Sequence, residues 1–176
     1  LNNLGFLLDT MGDYDGARPY YEQALAIRQQ VLGVKHPVTA QSLNNLGALL
    51  QAMGDYEGAR PYYEQALAIN EQVLGAAHPD TAVSLNNLGY LKSAMGDYEG
   101  ARPYYERALA IREQVLGAAH PDTAVSLNNL GYLLSATGDD EGARPYYERA
   151  LVILEKRLGS SHTSTQTVRN NLAALG

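Results

Sequence analysis

Every 42 residues this sequence returns to the same pentapeptide: Leu-Asn-Asn-Leu-Gly stands at Leu1, Leu43, Leu85 and Leu127, and a worn copy, Arg169-Asn-Asn-Leu-Ala, holds the fifth position. Such a chain cannot close around one central core. Each unit buries its faces against its neighbours, and the array grows along an axis. The units starting at Leu43 and Leu85 differ at only five positions, Ala48/Tyr90, Leu50/Lys92, Gln51/Ser93, Gln65/Arg107 and Asn70/Arg112. Those positions are where one unit can do something that its neighbour does not.

Within a unit the apolar spacing is helical. Ala40, Leu43, Leu46, Leu50 and Met53 fall three and four apart on one face, with Pro37 in the first turn, where its absent N–H is not missed. Gly54-Asp55 interrupts the pattern. Asp55 is placed to cap a second helix whose stripe is Ala59, Tyr63, Ala66, Leu67, Ile69, Val73 and Leu74, ending before Gly75. The short turn makes the two helices antiparallel, and the small residues Gly47, Ala59 and Ala66 mark their closest approach. Pro61 recurs as Pro19, Pro103 and Pro145 about five residues past the cap, and reads as a bend in a continuous helix, with a helix break as the alternative.

Extended along the chain, this pattern predicts nine helices, the first over about 1–11 and the last over about 163–175. The expected fold is all-α, a right-handed α-solenoid of helix pairs spanning 1–176 as a single array. Its units run over about 1–42, 43–84, 85–126 and 127–168, with a partial unit at 169–176. The chain begins inside a unit, which reads as a fragment of a longer array. Its fourth unit becomes more polar, with Thr137, Asp140 and Arg157 in place of Met95, Tyr98 and Val115, as a unit near an array's end would.

A net charge of −6 without a basic stripe argues against nucleic acid and anionic membranes as partners. The absence of cysteine removes disulfides, thiolate metal sites and cysteine nucleophiles, and favours a reducing, cytoplasmic setting. No apolar run approaches membrane-spanning length.

The units resemble the tetratricopeptide repeat, whose helix-contact spacing is carried here by Leu43, Leu46, Gly47, Ala59, Tyr63 and Ala66. They are most similar to the kinesin light chain-like subclass and to arrays of bacterial scaffold and signalling proteins. The residues that carry this likeness are Leu85-Asn-Asn-Leu88, Tyr98-Glu-Gly-Ala-Arg-Pro103, Arg107-Ala-Leu-Ala-Ile-Arg-Glu113 and Leu116-Gly-Ala-Ala-His-Pro121. The resemblance implies a protein-binding scaffold whose inner face, lined by first helices, takes an extended peptide or protein segment. Groove positions are then Asn44, Asn45, Asn86, Asn87, Asn128 and Asn129, joined by Ala48, Tyr90 and Tyr132 and by Gln51, Ser93 and Ser135. The chemistry agrees: asparagine both donates and accepts, so a ladder of them can bond a peptide backbone, and tyrosine supplies apolar area with a polar tip. The same asparagines can instead staple unit to unit. Tyr63 belongs to the core stripe, and Tyr62 to the helix flank.

Kinesin light chains favour tryptophan-acidic peptides through basic groove residues, whereas this groove offers no cation except Lys92, a residue read here as laying its stem on apolar surface with the ammonium outside. Arg18, Arg60, Arg102 and Arg144 fall on second helices as solvated or inter-helix groups. No residue set suggests catalysis, a cofactor or a metal. His36, His78, His120 and His162 recur once per unit, so they cannot converge, and they read as caps. The alternative to a peptide-binding scaffold is a structural spacer or self-associating array, in which the unpaired N-terminal helix with Leu4 and Leu8 seeks another copy.

Overall fold

The computed structural model describes residues 1–176 and is helical throughout: α1(Asn2–Thr10), α2(Tyr14–Leu32), α3(Pro37–Ala52), α4(Tyr56–Val73), α5(Pro79–Ala94), α6(Tyr98–Val115), α7(Pro121–Ala136), α8(Asp140–Leu158) and α9(Thr163–Ala173). They form two compact units, Leu1–Leu91 and Lys92–Gly176. In the first, α1 packs on α2, α2 on α3 and α3 on α4; in the second, α6 packs on α7, α7 on α8 and α8 on α9. No helix is long and apolar enough to cross a membrane.

Local chemistry fixes where each helix starts and stops. Asp13, Asp55, Asp97 and Asp139 each accept the backbone N–H of the glycine three residues on, capping α2, α4, α6 and α8. The histidines cap the others. Nδ1 of His36, His78, His120 and His162 accepts the N–H of Val38, Asp80, Asp122 and Ser164 at 3.1–3.2 Å. Between them the chain turns at Gly12, Gly33, Gly54, Gly75, Gly96, Gly117, Gly138 and Gly159, all with positive φ. A clasp absent from the sequence reading closes four of these turns: the buried hydroxyls of Thr39, Thr81, Thr123 and Thr165 donate to the carbonyls of Gly33, Gly75, Gly117 and Gly159 at 2.8–2.9 Å.

The second helices run through Pro19, Pro61, Pro103 and Pro145 unbroken. The carbonyl that loses its donor belongs to the second helical residue, Asp15, Glu57, Glu99 or Glu141, all exposed, so water can replace the missing bond. Most of the expected stripe is buried, with Leu43 and Leu46 at 1% exposure and Ala59 and Ala66 at 0%. Met53 and Val73 are corrections, because both sit at helix ends and are exposed, while Leu49, outside the expected stripe, is fully buried.

In three helix pairs a first-helix glycine lies directly under a second-helix tyrosine ring. A Cβ at Gly47 would stand 2.8 Å from the Tyr63 ring, one at Gly131 would stand 2.8 Å from the Tyr147 ring, and one at Gly5 would stand 3.1 Å from the Tyr21 ring. Tyr63 is buried and Tyr62 half-buried on the flank.

A second recurring contact ties each pair to the helix that follows. In the first unit Arg28 donates to the Val38 carbonyl at 3.0 Å and to the Ser42 hydroxyl at 2.7 Å. Its equivalent, Asn70, reaches the Asp80 carbonyl and Ser84 at 3.2 and 3.0 Å. In the second unit Arg112 reaches the Asp122 carbonyl and Ser126 at 3.0 and 2.8 Å. The last copy changes chemistry altogether, with Leu154 and Val168 both buried at 2%.

Two outcomes follow from these contacts. Gly131→Ala should destabilise the array by about 1–3 kcal/mol, because the Tyr147 ring must move, and Gly5→Ala by less, as measured by thermal unfolding. Arg112→Leu alone should cost about 1–3 kcal/mol by orphaning Ser126 and a carbonyl, whereas Arg112→Leu with Ser126→Val, copying the Leu154/Val168 solution, should recover most of that loss in a double-mutant cycle.

Candidate functional site

The residues expected to face a partner lie on α3, α5 and α7, and they divide sharply by burial. Tyr90 on α5, in the first unit, is 56% exposed, and Tyr132 on α7, in the second, is 51% exposed. Each follows an exposed valine by seven residues, Val83 before Tyr90 and Val125 before Tyr132, with the asparagine pair between them on the same helix face.

The asparagines are differently placed. Asn44 is buried, with its amide donating to Ser84 at 3.0 Å, and it thereby joins α3 to α5. Asn45 is half-buried and donates to Asn2 at 3.1 Å, joining α3 to α1. In the second unit Asn171 donates to Asn128 at 3.0 Å, joining α9 to α7 in the same way. Asn86, Asn87 and Asn129 are half-buried, and neither Asn86 nor Asn129 is without a partner. Where bonds link these amides, they run from helix to helix, the stapling that the sequence allowed as the asparagines' other role. The oxygens of Asn44 and Asn70 are buried without a partner around Ser84, which receives both amides.

The third set is tied to the second helices. Gln51 accepts from the Tyr63 hydroxyl at 3.1 Å, Ser135 donates to Asp140 at 2.8 Å, and Ser93 is buried. Lys92 is half-buried and makes its ion pair at the turn between α5 and α6. Its ammonium pairs with Asp97 at 2.6 Å, on the carboxylate whose other oxygen caps α6, so its charge is neutralised in place. Two arginines of the second helices stay local, Arg18 pairing with Glu22 and Arg60 with Glu57, whereas Arg144 reaches past α9 to donate to the Gly176 carbonyl.

Of the groups that hold the units together, Asn70 and Arg112 were visible in the sequence only as a difference between two otherwise matching units. Burial lowers the affinity of the Arg112 guanidinium for its proton, an effect that Asp122 opposes. No cluster of histidine, cysteine, aspartate or glutamate is arranged to hold a metal ion.

Burial also acts on the core tyrosines. The Tyr21 phenol is pushed up to about 12, chiefly by desolvation with Asp9 adding to it, and that of Tyr147 to about 12, again by desolvation, with Tyr132 and Asp140 adding. Tyr63 is raised further, by burial and then by Tyr90. A phenol whose folded pKa exceeds the unfolded value holds its proton more tightly when folded, so its stabilising contribution is complete below pH 10.0 and is lost as pH climbs to about 12. Tyr147→Phe should therefore flatten the loss of stability across this alkaline window, as read by unfolding midpoints at a series of pH values.

Comparison with known proteins agrees with this architecture. The tetratricopeptide repeat profile matches residues 1–72, 39–114 and 80–156. Among solved structures, the chain is similar to the nearly identical kinesin light chain TPR-like repeats of Podosopora anserina, at 28% identity and a TM-score of 0.80 over 99% of this chain and 82% of that one. A singly substituted form of the same repeats matches at 27% identity and a TM-score of 0.82, with the same coverage. BtubC (BKLC) from P. vanneervenii matches at 27% identity and a TM-score of 0.84, over 98% of this chain and 68% of that one. No curated protein matches in sequence. Tetratricopeptide repeats generally serve as protein-contact modules and scaffolds. With paired helices, glycine–tyrosine contacts and the repeat profile along most of its length, this chain belongs to the tetratricopeptide repeat family, and its structural neighbours are kinesin light chain-like.

Proposed function

We propose that this chain is a non-enzymatic protein-binding scaffold, and that the face of its first helices takes an extended peptide or protein segment. The observation that supports it is the pair Tyr90 and Tyr132, aromatic rings held half in solvent on helices whose leucines are buried. Replacement of Ala48 by tyrosine in the later units adds contact area where none is needed for folding. Asn45, Asn87 and Asn129 each precede position 48, 90 or 132 by three residues on their own helix and can bond a partner's backbone with whatever capacity the helix contacts leave. Asn44, Asn86, Asn128, Ser93 and Ser135 act in this reading as the supporting layer. The face carries little charge: α3 has no charged residue, and Lys92 on α5 is already paired. The segment recognised is accordingly uncharged rather than acidic.

A second reading, a self-associating array, draws on α1, where Leu4, Phe6 and Leu7 are exposed, and on Met11 just past its end. Sedimentation distinguishes the two: a mass that rises with concentration favours association, and a constant monomer removes it.

For the scaffold, the probe is a displayed library of random decapeptides. Tyr90→Ser with Tyr132→Ser should weaken the selected peptides by at least about tenfold while the helical circular dichroism is unchanged. Unaltered binding by this double variant would refute the proposal. Adding Asn86→Ala and Asn128→Ala should abolish what binding remains; a variant that unfolds instead would identify these asparagines as structural.

A further inference from the structure

Between α7, α8 and α9, inside the second unit, lies an open pocket of about 150 Å³. Ala124, Val125, Leu154 and Val168 line it, together with the polar Asn128, Ser164 and Thr167, and no lining side chain is charged. The pocket lies at the repeat junction where the chemistry changes. Arg28, Asn70 and Arg112 each extend a polar head to a serine and a carbonyl of the following helix. At the last junction the long polar side chain is replaced by Leu154 and the serine by Val168, and the unfilled space next to them is walled mainly by apolar atoms.

We infer that this pocket is an anchor site for one uncharged aliphatic or phenyl side chain of a bound segment, an assignment that rests on the first-helix face being the binding face. Charge selects the occupant. An acidic or basic side chain would be desolvated there with no counter-ion, whereas an apolar one exchanges water for Leu154 and Val168. The volume suits a single such group, since an apolar cavity of about this size holds a benzene ring. The pocket also opens on the helix that carries Tyr132. Val125 on its rim and Tyr132 are seven residues apart on α7, or about 10 Å along the helix, a span covered by about three residues of extended chain. Partners should therefore carry two apolar side chains about three positions apart, one in the pocket and one against the Tyr132 ring.

Two arms test this separately from the scaffold reading. In the first, benzene is titrated into methyl-labelled protein. The Val125, Leu154 and Val168 methyl resonances should shift and saturate, and should not do so in Thr167→Phe, which lays a phenyl over the opening from the exposed side of α9. Nor should the Val125 methyls, the only ones of the three residues that remain, in Leu154→Arg with Val168→Ser, which rebuilds the Arg112/Ser126 junction. Resonances that stay still in the parent, or move equally in the variants, overturn the site. In the second arm, the library-selected decapeptides should bind Thr167→Phe at least about tenfold more weakly, with unchanged helicity. Undiminished binding overturns the anchor while the face reading stands. A library that yields no binder overturns the face reading and the anchor role with it, while the benzene arm still decides the pocket.

Discussion

A tyrosine ring lying directly on a glycine backbone sets the geometry of the helix pairs. Tyr63 covers Gly47 and Tyr147 covers Gly131 at distances that leave no room for a methyl group. The fully buried alanines around them, Ala59 and Ala66 or Ala143 and Ala150, extend the same close approach over two further turns. Because the ring is wide and the opposite residue has no side chain, the two helices are held at one separation and one rotation. The outward strip of each first helix is a consequence of that rotation. With Leu43, Leu46 and Leu50 turned inward, residue 48 and its equivalents have nowhere to point but solvent, so a tyrosine there, as at Tyr90 and Tyr132, becomes a surface feature rather than a core one.

Pair-to-pair contact obeys a different rule. Its key position tolerates arginine, asparagine and leucine, provided the following helix supplies a matching group. Arginine and serine form a charge-assisted bond in a buried setting, and leucine and valine form a dry contact. Asparagine is the least complete solution, since it shares Ser84 with Asn44 and leaves two amide oxygens unpaired. The repeat is thus uniform where helices of one pair meet and variable where pairs meet. Otherwise similar units therefore differ at their junctions: a buried guanidinium at one, an open pocket at another.

Much of this architecture was legible in the sequence, because it depends on local period and local chemistry. Three-and-four spacing specifies helices, glycine at each turn supplies positive φ, and aspartate and histidine before the helices act as caps whatever the rest of the chain does. The inward place of Tyr63 follows from the same periodicity. The resemblance to tetratricopeptide repeats adds the pairing of helices, and the family match agrees with it.

Tertiary structure alone decided which polar groups are consumed by the fold. Asn44 and Asn45 are neighbours in sequence, yet one is buried against Ser84 and the other bonds Asn2, because partners forty or more residues away determine what each amide meets. Lys92 shows the same dependence. Its charge is cancelled by an aspartate that the sequence assigned to capping, and only the turn between α5 and α6 brings the two within 2.6 Å. The pocket beside Leu154 was invisible for a related reason: a leucine and a valine separated by fourteen positions read as ordinary core, and become an opening only where the packed helices leave unfilled the space next to them. Period and capping are properties of a chain segment and can be read along it, whereas the pairing of a polar group and the filling of a space depend on distances between segments, which only the packed structure fixes.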